Sequence, residues 1–394
     1  MKIAFVMNSY NAPSELWLQR LINLLRSDIA FLASTDSDER LWQKEIPVLN
    51  LYHHYPLLKK ALMKVGLKRR RSSRERNNEI LAEQLKGDVD IVFVNYLTMA
   101  YRLRETLLET QLPVVIHTHG YDTTWNLLSI RTGRKVHSKE YREFVKHIST
   151  KALLIANSED SIERLTNIGV NENRIFRKVF GVPVELNNSQ LRQGKRVKIL
   201  FLGRLIDCKG PDLVIAAFER ARAAGMSGEL IIAGDGYMDI TCRLLRNRSE
   251  YREDIKLLGN VTPDEGRELR ADCDIFTAHN CTGAISNQVE AFGVSIIEAM
   301  AAGLPVVTGR SGGVVDSIVD GVTGFMFTPG DVDEHARILI KLANDPELRA
   351  KMGNCAIQRV KEHFSLEQER ASLMRIMQSA TSVVQPPGSH VPSS

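Results

Sequence analysis

Short apolar runs recur along the chain, and each ends in a polar or glycine-containing turn. Residues 2–8 (KIAFVMN), 29–34 (IAFLAS), 89–95 (VDIVFVN), 113–120 (PVVIHTHG), 152–159 (ALLIANSE) and 174–184 (RIFRKVFGVPV) make up the first half of this series. Residues 197–205 (VKILFLGRL), 228–236 (GELIIAGDG), 256–261 (KLLGNV) and 274–280 (DIFTAHN) begin the second. Apolar residues in unbroken sequence, not alternation, mark strands buried on both faces, as in parallel sheets. Between them lie helical patterns. Leu16, Leu18, Leu21, Ile22 and Leu25 share one face behind a Ser14-Glu15 start, and residues 161–170 (SIERLTNIGV) stop at Gly169. Strands alternating with helices predict doubly wound α/β domains, whose ligands lie beyond the carboxyl ends of the strands.

The series breaks once. Residues 185–196 are polar and without periodicity, so they divide a first domain, 1–184, from a second, 197–363. A helical pattern over about 364–380 is expected to pack back on the first domain, and the Pro/Ser-rich tail 381–394 is expected to be disordered. A length of 394 residues suits two cores better than one. Five cysteines without a Cys-x-x-Cys pair fit a reduced compartment and give no zinc set. No apolar segment approaches membrane-spanning length, and the start reads as a strand, not a signal peptide, so a cytoplasmic protein is expected. The net charge of +5 is concentrated in residues 59–76 (KKALMKVGLKRRRSSRER). That run has no interleaved aromatics and no nucleic-acid fold signature, so nucleic acid is not expected. It reads as a solvated loop or as a surface for an anionic membrane, which would place the protein peripherally at the inner face.

The densest chemistry lies in residues 287–313, NQVEAFGVSIIEAMAAGLPVVTGRSGG. A helix opening near Val294 points its unpaired N–H groups into the Phe292–Gly293 loop, a ready site for phosphate, with Ser295 adding a hydroxyl. Glu290 and Glu298 stand on either side as acceptors for sugar hydroxyls. Upstream, Arg204 and Lys209 flank a turn after a strand end, where two cations can neutralise a diphosphate. His119 ends another strand in HTHGYD, followed by Gly120 and Asp122, and His117 alternates with it toward the same face. Asp88-Val89-Asp90 carries a metal-like spacing. The same spacing recurs at 272–274 and 331–333 without nucleotide context, so no metal is expected.

The E-x7-E spacing followed by AMAAGLPVV and GG resembles the group 1 (family 4) retaining glycosyltransferases of GT-B fold. The resemblance is strong from about Val197 to Met377 and weaker over the first half. It implies two Rossmann-like domains facing a central cleft and a nucleotide diphosphate sugar as donor, with UDP- or GDP-sugars foremost. The family's phosphate-binding Arg and Lys fall on Arg204 and Lys209, its ribose-binding Glu on Glu298, and its sugar-binding Glu on Glu290. Gly234 lies where relatives border the base, Val261 where they contact it through backbone, and His119 where they cover the donor sugar. The family pattern departs in three places. The loop after the first strand (NSYNAPSELW) lacks the usual glycine pair, Asp316 replaces a Glu, and residues 279–289 (HNCTGAISNQV) are longer than the usual loop and are expected to border the acceptor. The resemblance implies transfer of a hexosyl group without a metal, in the biosynthesis of polysaccharides, glycolipids or other glycoconjugates. A nucleotide-sugar epimerase or hydrolase, and a non-catalytic sugar-nucleotide-binding subunit, remain the alternatives.

Overall fold

The computed structural model describes residues 1–9, 15–35, 46–51, 72–184 and 196–384. The expectations for residues 10–14 of the loop after the first strand, residues 59–71 of the basic run, the linker up to residue 195 and the tail from residue 385 lie outside these.

Two parallel sheets form, as the unbroken apolar runs require. The first has seven strands: β1 (Ile3–Met7), β2 (Ile29–Ser34), β3 (Val48–Asn50), β4 (Ile91–Asn95), β5 (Val114–His117), β6 (Leu153–Ala156) and β7 (Ile175–Arg177), in the order β3-β2-β1-β4-β5-β6-β7. The second has six: β8 (Val197–Leu202), β9 (Gly228–Ala233), β10 (Ile255–Gly259), β11 (Ile275–Ala278), β12 (Val306–Gly309) and β13 (Gly324–Phe327), in the order β10-β9-β8-β11-β12-β13. Strand order reverses at β1/β4 and at β8/β11. Those are the crevices where such sheets bind ligands.

Alternate residues of each central strand feed opposite cores. On β4, Val92 and Val94 join the cluster with Leu97 and Phe144, while Ile91 and Phe93 join the one with Leu21 and Ile22. The helix Leu16–Leu25 buries Leu18, Leu21, Ile22 and Leu25, the face its spacing anticipates. The apolar run at 174–184 pairs as a strand only through Arg177. Beyond it Phe180 and Val182 leave the sheet and enter the core of the second domain.

The last helix, Leu366–Val384, runs four residues past the expected end at 380. It places Leu373, Ile376, Met377 and Ala380 in a core of the first domain. Glu369 anchors it, pairing with the buried ammonium of Lys178 and accepting the Gly181 N–H at 2.9 Å. Lys178 lies 4.6 Å over the Phe180 ring. Among the described residues no helix is long and apolar enough to cross a membrane.

Candidate active site

The two crevices face one another, and the contacts between the domains run through the residues singled out above. After β8 the chain makes the Arg204–Gly210 turn, which ends in a left-handed Gly210 (φ 54°). A side chain at Gly210 would meet the His279 carbonyl at 2.7 Å, so the turn can lie flat on the β11 end only with glycine there. Lys209 Nζ reaches Glu290 Oε2 at 2.6 Å, with both side chains largely buried. Burial opposes ionisation of Glu290. The Lys209 ammonium, the charge of Arg204 and the Phe292 N–H more than reverse this and hold the carboxyl at about 2. Glu290 is therefore an anion with an ammonium beside it.

Glu290 is held by close backbone packing on both sides. A Cβ at Gly120 would lie 3.0 Å from the Ala291 Cβ and the Val289 carbonyl. One at Gly313 would lie 1.7 Å from the Ala291 carbonyl, and the Gly313 N–H donates to the Glu290 carbonyl at 2.8 Å. The His119-Gly120 loop of one domain and the Gly-Gly turn of the other thus clasp the Val289–Ala291 segment.

The helix Val294–Ala301 opens where its pattern places it, with Gly293 (φ 86°) at its N-cap. Its first N–H groups have no partners within the helix. Phe292 is a core residue whose ring lies 5.4 Å from Phe180 and 5.8 Å from Phe364, so only its backbone faces the loop. Gly234 serves packing as well: a Cβ there would lie 1.9 Å from the Gly203 carbonyl. Val261 lies in the short turn between β10 and the helix Pro263–Asp272, two residues from each.

Glu298 stands apart from the Lys209–Glu290 pair. It lies beside Arg270 at 3.3 Å and forms an ion pair with Arg20, which belongs to the first domain. These groups line a cavity with Pro263 and Arg267.

His119 lies between Tyr96 and Trp17, its ring tilted against both, with centroids 4.2 and 4.7 Å away. Its Nε2 is buried and has no hydrogen-bond partner among the described residues. Burial, and then the charge of Lys178, lower its pKa to about 3, so it is a neutral imidazole. His117 also faces this cluster, but it is fully buried and engaged with Asn157 Oδ1 at 2.7 Å. Asp122 has a bracing role. Its carboxylate accepts from the Leu97, Thr98 and His119 N–H groups at 3.1–3.2 Å, fixing the His119 loop to the end of β4.

Several participants carry no sequence signal. Asp207, inside the phosphate-turn candidate, accepts the Ile285 N–H at 2.8 Å and both the N–H and hydroxyl of Ser286 at 2.7 Å. The long 279–289 loop is thereby strapped to the turn between Arg204 and Lys209. The same loop crosses to the first domain, where the Leu128 N–H donates to the Ser286 carbonyl at 2.8 Å and Asn287 Nδ2 to the Asn126 carbonyl at 3.1 Å. Glu15 hydrogen-bonds the Tyr96 hydroxyl and faces the charge of Arg204 across the cleft. Tyr96 holds a left-handed backbone (φ 75°), a strained conformation of the kind that gathers at functional sites. Asp316 accepts the Glu159 N–H at 2.8 Å and pairs with Arg177 at 3.3 Å, a further link between the domains. Of the metal-like pair, Asp90 accepts the Lys2 N–H at 2.7 Å and Asp88 pairs with the Lys2 ammonium. No group of three or more His, Cys, Asp or Glu side chains converges as a metal-binding set among the described residues.

Two parallel-sheet domains joined across a cleft by a returning C-terminal helix make this a GT-B fold. Its solved neighbours include HepE of Anabaena, whose crystal structure in complex with UDP and glucose superposes with a TM-score of 0.75 at 20% identity, covering 96% of this chain and all of that one. Residues 185–359 of the chain match the family model described as glycosyl transferases group 1. Among its relatives is the GDP-mannose-dependent monoacylated alpha-(1-6)-phosphatidylinositol monomannoside mannosyltransferase of Corynebacterium glutamicum. The two are 28% identical over 68% of this chain and 70% of the relative. The corresponding alpha-(1-6)-phosphatidylinositol monomannoside mannosyltransferase of Mycobacterium tuberculosis is 27% identical over 61% of this chain, which spans 63% of that relative's length.

Proposed function

We propose that the protein is a retaining glycosyltransferase that moves a sugar from a nucleotide diphosphate sugar to a hydroxyl acceptor without a metal ion. The observation that carries this is the Lys209–Glu290 pair, with Arg204 beside it, at the mouth of the helix that Gly293 opens. An ammonium, a guanidinium and a helix N-terminus converge where a leaving diphosphate needs positive charge. Glu290 and the Phe292–Gly293 backbone hold the sugar, Val294 and Ser295 the phosphates, and Glu298 the ribose. Gly234 and Val261 border the base, and the neutral His119 covers the sugar from the acceptor side. The bond from the sugar's anomeric carbon to the diphosphate oxygen breaks, with charge developing as in other glycosyl transfers. The acceptor oxygen bonds to that carbon on the same face, and its proton passes to the departing phosphate.

Both a GDP-mannose-dependent relative and a neighbour holding UDP support a nucleotide sugar, and they point to different bases. The relatives' phosphatidylinositol mannoside acceptors support a glycolipid acceptor and a peripheral membrane position for this chain through residues 59–76. Loss of liposome binding on charge reversal of that run tests the latter.

The activity is tested by assaying UDP-, GDP- and ADP-sugars for stabilisation and turnover. A donor raises the melting temperature in proportion to its occupancy. The Arg204→Ala/Lys209→Ala chain is expected to fold and to be nearly inactive. Turnover at the parental rate would refute the clamp, and donor consumption without an acceptor would show a hydrolase or epimerase instead.

A further inference from the structure

The cavity around Glu298 is built from both domains, and the first domain's polar contribution to it is Arg20. The helix Leu16–Leu25 commits Leu18, Leu21, Ile22 and Leu25 to its own core, so Arg20 is turned to the opposite flank. It is three residues from Trp17, which packs against the cores of both domains. Its guanidinium pairs with Glu298 through one nitrogen. A second, Nη1, is buried and has no hydrogen-bond partner among the described residues. An arginine N–H in that condition costs free energy unless a ligand or water accepts from it. Charge points the same way. The lining holds three guanidinium groups, Arg20, Arg267 and Arg270, and one carboxylate, Glu298, a composition that suits an anion. An ion pair buried between domains is a poor source of stability on its own, because desolvation offsets most of the attraction.

We propose that Arg20 is a donor-binding residue supplied by the opposite domain. Its free N–H donates to an acceptor oxygen of the bound nucleoside diphosphate while it braces Glu298 on the ribose, so that filling the cavity and closing the cleft become one event. The proposal rests on the reading above that Glu298 lies at the nucleoside.

Calorimetric titration with UDP and GDP tests it on the parent, Arg20→Ala, Arg20→Lys and Glu298→Ala chains, each first shown to melt cooperatively. Arg20→Ala is expected to weaken the preferred nucleotide about tenfold or more, as loss of a charge-assisted hydrogen bond does. Lysine, a point charge without the planar fork, restores part of this. In steady-state assays the donor KM rises while the acceptor KM stays put, a split that a merely structural role would not give. If Arg20→Ala binds nucleotide like the parent while Glu298→Ala does not, the role of Arg20 is overturned and the donor site stands. If neither substitution weakens binding, the nucleoside reading of the cavity falls with it.

Discussion

At the scale of the residue, the decisive feature is an anion kept ionised beside a buried ammonium. Glu290 stays near a pKa of about 2 because Lys209 and Arg204 outweigh its burial. Without Lys209, burial would dominate and the carboxyl would move upward. Lys209→Met is therefore expected to lower kcat/KM about a hundredfold or more, in line with the loss of one preorganised charge from a transition state. It should also add an acid limb, with activity falling as the pH drops through the new carboxyl pKa. A pH–rate profile of the two chains checks both. Arg204, Lys209, Glu290 and Glu298 stand out as candidates in the sequence because cations at a strand-end turn and acids around a helix start are local patterns, which the family resemblance then sharpens. Arg20 and Asp207 were not. Arg20 looks like any exposed helix cation, and its partner lies 278 residues away in sequence. Asp207 looks like a turn residue until the fold brings the backbone of residues 285 and 286 to its carboxylate.

At the scale of the element, glycine and a few buried charges decide how loops and helices dock. A methyl group at Gly293 would sit 2.9 Å from Ile296 Cδ1 with the backbone at φ 86°, a region side chains avoid. Gly293→Ala is expected to cost about 1–3 kcal/mol in stability and to weaken nucleotide binding, because it tilts the helix start. Denaturant melts with and without nucleotide separate the two effects. Asp207→Ala frees the 279–289 loop from the Arg204–Gly210 turn and leaves four donors without their acceptor, the Ile285 and Ser286 N–H groups and the Ser286 and Tyr237 hydroxyls. A loss of about 2–4 kcal/mol is expected, together with a higher KM for the acceptor that the loop is proposed to border. The C-terminal helix depends on Lys178, whose removal would strand the buried Glu369. Lys178→Met should destabilise by about 3–5 kcal/mol, and adding Glu369→Leu should restore part of it. Most strands could be read directly from their apolar runs. The early end of β7 could not, because Phe180 and Val182 are just as apolar as strand residues and only the second core decides where they go.

At the scale of the whole molecule, two domains share one cleft, and among the described residues polar pairs and tightly packed glycines cross it beside the apolar Trp17, Phe180, Val182 and Phe292. Such an interface suits a cleft that opens and closes around a donor. Stability should also carry a signature of buried imidazoles. His279 and His335 contact one another at 3.1 Å in the second domain, and burial lowers both, His279 to about 4. Folded, they stay neutral where the unfolded chain binds protons, so their contribution is present above the ordinary histidine pKa and lost as the pH falls from there toward 4. The slope is about 1.4 kcal/mol per pH unit for each histidine. His279→Asn should flatten the acid side of a melting-temperature profile by one such increment. Burial raises Asp122 to about 7, which acts in the opposite sense throughout that range and offsets one proton. The most direct test of the central claim is a crystal structure of the protein with a sugar nucleotide bound in the presence of EDTA. The diphosphate is expected between Arg204, Lys209 and the N–H groups of Val294 and Ser295, with the ribose on Glu298. A diphosphate bound elsewhere, or binding that returns only when manganese is restored, would contradict it.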